Sequence, residues 1–428
     1  MKHEIMQRIE QIRRGEVPEG YKSGSIGIVP VGWSKTVLHA VIKDLLSGTS
    51  VNSDVTNDTG IYVLKTSSIS DGKIDLSESK PVIKKDLTRV KCTILQGSIL
   101  ISRMNTPLLV GACGYVEQGS NIHFLPDRLW QAICSSKKVC NFRWLNYLLN
   151  SERYQVAIHA LGSGTSNSMK NISKDDFLNL SIVLPALVEQ QKIAAILTTQ
   201  DKVIELKENR LAEKLRQKMY LMQQLLTGKK RLPGFNIAWK KTKLKNILHE
   251  RKTYSPKGLE YPHVTLSTEG IFPKSDRYDR DHLVRDEYKE YKITHKGDIC
   301  YNPANLKFGV ICENTFGDAI FSPIYVTFEV NQNVCKEYLA NYLMRWDFIN
   351  AVRKYEEGTV YERMAVKPED FLKFEILLPH IAEQSAIAQV LSTADREISL
   401  LRQDIEQEKQ KKKALMQLLL TGIVRTTV

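Results

Sequence analysis

Two stretches of this chain carry the same apolar pattern. In the first, Leu197, Ile204, Leu211, Leu215, Met222 and Leu225 recur at steps of three, four or seven residues. In the second, Leu391, Ala394, Ile398, Leu401, Ile405, Leu415 and Leu419 do the same, interrupted at Glu408 and Lys412. That spacing lines one face of a helix. Pro185 and Pro379 suit a helix start, Glu189 and Glu383 the first turns, and Gly228 and Gly422 the stop. No proline or glycine lies between. The pattern predicts two helices of about 40 residues, ~60 Å long at the usual rise. A long apolar stripe is unstable in water, and the simplest solution is for each helix to cover the other. Two equivalent helices in one chain favour a pseudo-two-fold arrangement, in which they run antiparallel.

The likeness extends to residue identity. "LMQQLLTG" from Leu221 returns as "LMQLLLTG" from Leu415, an offset of 415 − 221 = 194. At that offset Leu184–Arg231 matches Leu378–Arg425 without a gap, with 20 identities in 48 positions. Upstream the match loosens. Asp176-Phe177-Leu178 meets Asp370-Phe371-Leu372, "GSILISRMN" from Gly97 meets "GDICYNPAN" from Gly297, and Trp33 meets Trp239. Each half is therefore a variable segment followed by a well-matched one. "RRGEVPEGY" at the N-terminus reads like "GKKRLPGF" before the second variable segment. The chain resembles a ring opened at one point, with a piece that would follow the C-terminal helix placed first.

Within the variable segments, runs such as "GIYVLKTSSI", "GSILISRM", "AIFSPIYVTFEV" and "FEILLP" read as strands. "NFRWLNYLLNSERYQVAIHAL" and "VCKEYLANYLMRWDFINAVRKY" read as helices. Strands followed by helices and a last strand give an α+β class. The expected organisation is an N-terminal arm (1–25), a first globule (26–183), a central helix (184–231), a second globule (232–377) and a C-terminal helix (378–428).

Charge adds a partner. A formal net charge of +13 over 428 residues suggests a polyanion, most often nucleic acid. Seven cysteines with no C-x-x-C pair argue against a disulfide framework or zinc ribbon and for a reducing cytoplasm. The N-terminus has no apolar core of a signal peptide, and no run is long enough to span a membrane. No phosphate loop, dinucleotide fingerprint, nucleophile elbow or zinc-protease motif occurs. The histidines are scattered, and the mixed-charge run Lys274–Lys292 reads as a solvated face. The expectation is a chain with no catalytic residues, no metal and no cofactor of its own.

Two paired segments are candidate contacts to DNA. "NPAN" (Asn302–Asn305) begins like the N-P-P-[FY] motif of adenine methyltransferases but lacks the second proline and the aromatic; its counterpart is "SRMN" (Ser102–Asn105). Arg suits guanine and Asn suits adenine, which makes Arg103, Asn105, Asn302, Asn305 and Lys307 candidate base readers. The second pair is "GSGTSNSMKNI" (Gly162–Ile172) against "YEEGTVYERMAVK" (Tyr355–Lys367), where small polar and basic residues suit phosphate. Ser163, Thr165, Asn167 and Lys170 are the candidates in the first, and Thr359, Tyr361, Arg363 and Lys367 in the second. Each is equally readable as a turn or loop residue satisfying its own backbone.

Two diverged globules, each followed by L-P-x-x-x-E-Q-x-x-I-A-x-x-L and a helix ending L-M-Q-x-L-L-T-G, resemble the specificity subunit of type I restriction–modification enzymes over the whole chain. "VPVGW" before Trp33 and "LPGFNIAW" before Trp239 are similar to that family's entry into each recognition domain. The resemblance implies that the globules are target recognition domains, each reading half of a bipartite DNA site. It implies that the helices form an antiparallel spacer and dock two methyltransferase subunits. Those subunits would bind S-adenosylmethionine and methylate adenine, and restriction subunits using ATP and Mg would join the same assembly. Of the helix residues, Leu197, Ile204, Leu211, Leu215, Met222, Leu391, Ile398, Leu401, Ile405 and Leu415 would form the spacer and subunit interface. On the residues alone, two other readings stay open: a stand-alone methyltransferase or nuclease, and a coiled-coil protein that binds nucleic acid without sequence preference.

Overall fold

The computed structural model describes residues 2–24, 27–56, 58–163, 168–256, 260–274, 290–355 and 365–426. Two compact units are present, one of residues 1–207 with 404–428, the other of residues 208–403.

The first unit opens with α1 (Lys2–Arg13) and is built on a four-stranded antiparallel sheet. Its strand order is Cys113–Tyr115, Ile99–Ser102, Leu129–Cys134, Ile42–Ser47. The run Ile99-Leu100-Ile101 is buried on both faces, as an uninterrupted apolar strand requires. Ile99 and Ile101 join Trp130, Trp144, Ile158 and Phe177 in the main core, while Leu100 joins Leu64, Ile69 and Ile94 on the other side. Helices α2 (Phe142–Leu149), α3 (Glu152–Ala160) and α4 (Lys174–Leu178) close the main core. Asn141 caps α2 by accepting from Trp144 N, and Ser173 caps α4 by accepting from Asp176 N. Strand Ser181–Leu184 then pairs with Ser34–Val37 and delivers the chain to the long helix α5 (Leu187–Leu225).

The second unit repeats this plan with different side chains. Its sheet order is Leu248–Glu250, Val326–Val330, Ile299–Tyr301, Ile311–Glu313. Ile299 and Tyr301 enter the main core and Cys300 the smaller one. Helices α6 (Lys336–Leu343), α7 (Trp346–Val352) and α8 (Pro368–Lys373) follow. Strand Glu375–Leu378 pairs with Lys240–Lys243 before α9 (Ile381–Leu420). One expectation fails here. Lys292 lies on a central strand, 3% exposed, with Nζ 3.0 Å from Glu250 Oε1. Its charge is matched by half-buried Glu250 and is not part of a solvated face; 275–289 of that run lies outside the described residues.

The long helices start two residues beyond their prolines. Gln190 Nε2 and Gln384 Nε2 each donate, at 2.9 Å, to the preceding proline carbonyl. Gly228 (φ +71°) and Gly422 (φ +74°) take left-handed conformations just past the ends. In the first unit, the start of α5 lies antiparallel to the end of α9. Leu197 and Ile193 share a core with Leu415, Leu419 and Leu420, and Lys412 Nζ sits 2.6 Å from Asp201. In the second unit, Met222 and Leu225 pack with Ile387 and Leu391, and Lys218 Nζ sits 2.5 Å from Asp395. Lys412/Lys218 and Asp201/Asp395 are the same positions of the repeat, 194 residues apart. Of the other stripe residues, Ile204, Ile398 and Ile405 are buried, and Leu211, Leu215 and Leu401 half-buried.

The breaks in the apolar stripe have partners too. Glu408 accepts from Gln200 Nε2 at 2.6 Å and from Lys207 Nζ at 2.9 Å. These bonds, that to Gln200 first, hold its carboxyl at about 2 against an ordinary 4.5. A depressed acid stabilises the fold above the unfolded value and loses that effect as pH falls. The helicity difference between wild type and Glu408→Gln in acid titration is therefore full above pH 4.5 and closes towards pH 2. A difference independent of pH over that window would contradict the ion pair.

Candidate nucleic-acid interface

In each globule, described residues of the second sequence-predicted segment lie against the turn formed by the first. In the first globule, the connection Arg103–Ala112 joins the strands Ile99–Ser102 and Cys113–Tyr115. Asn105 is 8% exposed; its Nδ2 donates to Ser102 Oγ at 3.1 Å and its Oδ1 accepts from Thr106 N at 2.8 Å. The amide therefore secures the turn and does not face outward. The Arg103 guanidinium lies 5.9 Å from the Trp130 ring centroid, with Nε buried and without a hydrogen-bond partner among the described residues. Met104 and Asn105 pair with Asn171 and Lys170, and Ser163 Oγ donates to the Asn171 carbonyl at 3.0 Å. Ser163, Lys170 and Asn171 thus lie along the Arg103 turn. Thr165 and Asn167 fall outside the described residues.

The second globule makes the same junction by other bonds. Asn302 is 8% exposed and its Oδ1 accepts from Ala304 N at 3.1 Å. That amide is spent on its own turn. Asn305 is half-buried, and its carbonyl accepts from Phe308 N at 3.0 Å. Lys307 is half-buried, with Nζ 5.5 Å from the Phe308 ring centroid. Val366 ties the second segment to this turn, donating from N to Pro303 O at 3.2 Å and accepting from Tyr301 OH at 3.0 Å. Lys367 next to it is exposed. Thr359, Tyr361 and Arg363 lie outside the described residues.

Burial pushes the thiols of Cys113, Cys140, Cys300 and Cys312 up to about 12, which keeps them neutral. Among the described residues no group of three or more His, Cys, Asp or Glu could hold a metal, and no helix is long and apolar enough to cross a membrane.

A second duplicated arrangement was not singled out from the sequence. Glu189, 1% exposed, accepts from Trp33 Nε1 at 3.0 Å and takes a two-pronged contact from Arg425, at 2.6 and 2.9 Å. Glu383, also 1% exposed, accepts from Trp239 Nε1 at 3.1 Å and from Arg231 at 2.5 and 2.7 Å. Gln190 Oε1 and Gln384 Oε1 accept from the backbone N of Asn141 and Cys335. All these helix residues were visible as repeat identities; what was hidden is that the glutamate, tryptophan and arginine meet. The terminal segments also meet in the first unit, where Arg8 Nη1 donates to Ile423 O at 2.8 Å and Tyr21 OH to Gly422 O at 2.7 Å. The C-terminal end and the N-terminal arm are thus continuous in space, as the opened-ring pattern predicts.

Comparisons with known proteins agree with this duplicated plan. The family model described as type I restriction modification DNA specificity domain matches twice, over residues 30–216 and 236–410. Two specificity subunits from Methanocaldococcus jannaschii are similar in sequence. That of the type I restriction enzyme MjaX is 23% identical, over 95% of this chain and 97% of its own length. That of MjaVIII is 25% identical, over 67% of this chain and 71% of its own. A crystal structure of the S subunit of a type I restriction–modification system from M. genitalium shares the fold, with a TM-score of 0.54 and 14% identity over 90% of this chain and 96% of that one. With two diverged globules on a matched helical repeat and a family match to both halves, the chain belongs to the type I restriction–modification DNA specificity family.

Proposed function

We propose that this chain reads a bipartite double-stranded DNA site, one half with each globule, and positions catalytic subunits on it. The observation that carries the reading is the combination of a shared loop junction with divergent side chains. The Arg103 turn and the Asn302 turn occupy the same place between corresponding strands, yet present different groups. Different half-sites need different readers on one scaffold. Arg103, Lys170, Lys307 and Lys367 are the basic groups at these junctions suited to base edges or phosphate. Asn105 and Asn302 shape the turns.

The matched helices serve a different purpose. Leu206 is 69% exposed and Leu400 59% exposed, at the same repeat position. Large apolar side chains held outward at both positions suit two copies of one partner, which we assign to a methyltransferase subunit carrying S-adenosylmethionine. Restriction subunits, with their ATP and Mg, would join through the same assembly, and this chain itself would bind no cofactor. The Asn302 amide is committed to Ala304 N, which disfavours a methyltransferase centred on this chain's own NPAN.

The test is an exchange. Replacing residues 26–183 with the corresponding globule of a relative, in the chain co-expressed with its methyltransferase, changes one half of the methylated site and leaves the other. Mapping methylated adenines reads the result. A change in both halves, or in neither, would overturn the reading.

A further inference from the structure

The loop from a central strand to the edge strand of each four-stranded sheet carries one feature that the basic and amide residues do not explain. At its apex stands a large apolar side chain with almost nothing over it. Leu108 is 85% exposed in the first globule and Phe308 is 59% exposed in the second. The offset that aligns Gly97 with Gly297 is 200, and it also aligns Leu108 with Phe308. Counted from the return strands, where Cys113 meets Ile311, the offset is 198 (311 − 113), so the second loop is two residues shorter; what the globules share is an outward apolar group within the same loop.

The apices are not slack. In the first globule, Leu109 N and Val110 N both donate to Thr106 O, at 3.0 and 2.9 Å. Gly111 N donates to Ser102 O at 2.7 Å, and a Cβ on Gly111 would stand 2.1 Å from Ile158 Cγ2. The loop is thus pinned against α3. In the second, Phe308 N donates to Asn305 O at 3.0 Å and Gly309 N to Leu306 O at 2.8 Å, with Gly309 at φ +80°. A pinned apex loses little freedom on binding. The amides of Asn105 and Asn302 are tied inside their turns, which leaves Leu108 and Phe308 as the most exposed apolar groups of their loops. Lys307 Nζ sits beside the Phe308 ring, and Arg103 lies in the other loop. An apolar tip on a loop that also carries a cation fits a DNA groove, where the cation meets phosphate and the tip meets base surface.

We infer that Leu108 and Phe308 are base-contacting, specificity-determining residues, each packing on apolar base surface in the half-site of its own globule. This rests on the DNA-reading function proposed above. An apolar base contact contributes to the specific complex and adds little to random duplex, where phosphate contacts dominate.

The experiment uses the full chain with its methyltransferase partner and a pool of duplexes randomised in sequence. Wild type selects a bipartite motif. Leu108→Ala loses on the order of ten-fold in affinity for that motif and relaxes preference in one half only. Phe308→Ala does the same in the other half. Affinity for random duplex and its salt dependence stay unchanged for both, as do thermal unfolding midpoints, because the side chains are exposed. Uracil in place of thymine reproduces the loss where the contact is to a methyl group; a brighter 2-aminopurine signal that the alanine variant abolishes marks a contact to an opened base step. Either supports the inference. Variants that bind the motif as wild type does, or that lose specific and random binding equally, overturn it. A wild type that selects no motif overturns the DNA-reading function itself.

Discussion

Phe371→Ala lowers the stability of the second unit by about 3–5 kcal/mol, the range for emptying an aromatic site in a packed core. Phe371 is fully buried and touches three other rings: Tyr301 at 4.9 Å, Phe328 at 5.6 Å and Phe348 at 6.0 Å between centroids. Those rings come from two sheet strands and α7, so no single element can move into the gap. Such a loss shifts a unit of this size by roughly 2–4 °C per kcal/mol. The check is the unfolding midpoint of the chain in complex with its methyltransferase. Phe371→Leu refills most of the volume and recovers much of the loss. A midpoint for Phe371→Ala within a degree of wild type would show that this stack does not hold the globule. Phe177, the same position of the first half, is fully buried against Trp130 at 6.1 Å and responds in the same direction.

The D-F-L repeat shows what was legible. Asp176-Phe177-Leu178 and Asp370-Phe371-Leu372 are identical because a buried aromatic at that step closes the core in both globules. The long helices were legible for the same reason: their burial is local and periodic, and the period is written in the residues. Lys292 was not legible. A charged residue in a mixed-charge run reads as solvated, and only the fold shows that Glu250 arrives from a strand of the other sheet to neutralise it. A long-range pairing of that kind leaves no trace in spacing.

The candidate site divides along the same line. The repeat located both turns, since they occupy equal places between matched strands. Which side chains face outward depended on hydrogen bonds internal to each turn. Asn105 and Asn302 have the chemistry to read adenine, but each spends its amide on a neighbour one to three residues away. Leu108 and Phe308, chemically plain, are the ones left outside.

Glu189→Ala is the second substitution with a large expected effect, and it acts where the chain's two ends meet. The Glu189 carboxylate is 1% exposed and serves two partners at once, Trp33 Nε1 and the Arg425 guanidinium. Its hydrogen bonds hold the Arg425 guanidinium above its ordinary value, so that side chain stays charged at any working pH. Truncation leaves the buried Trp33 N–H unsatisfied and strips the arginine of its counter-charge. Removing one partner of a fully buried pair costs about 3–5 kcal/mol. Arg425 is 40% exposed and water recovers part of that, so the expected loss is about 2–3 kcal/mol. Glu189→Gln keeps an acceptor for Trp33 and loses less; Arg425→Ala leaves the carboxylate buried with only the indole. The tail should also loosen. A Cβ on Gly422 would come within 2.5 Å of Pro30, and Ile423 is held by Arg8, so the end of α9 sits tightly on the entry to the first globule only while the glutamate anchors both. Limited proteolysis of the assembled complex reads this as cleavage after Arg425 in Glu189→Ala but not in wild type. Equal protection and equal unfolding midpoints would mean that the apolar contacts of Leu419 and Leu420 alone close the ring.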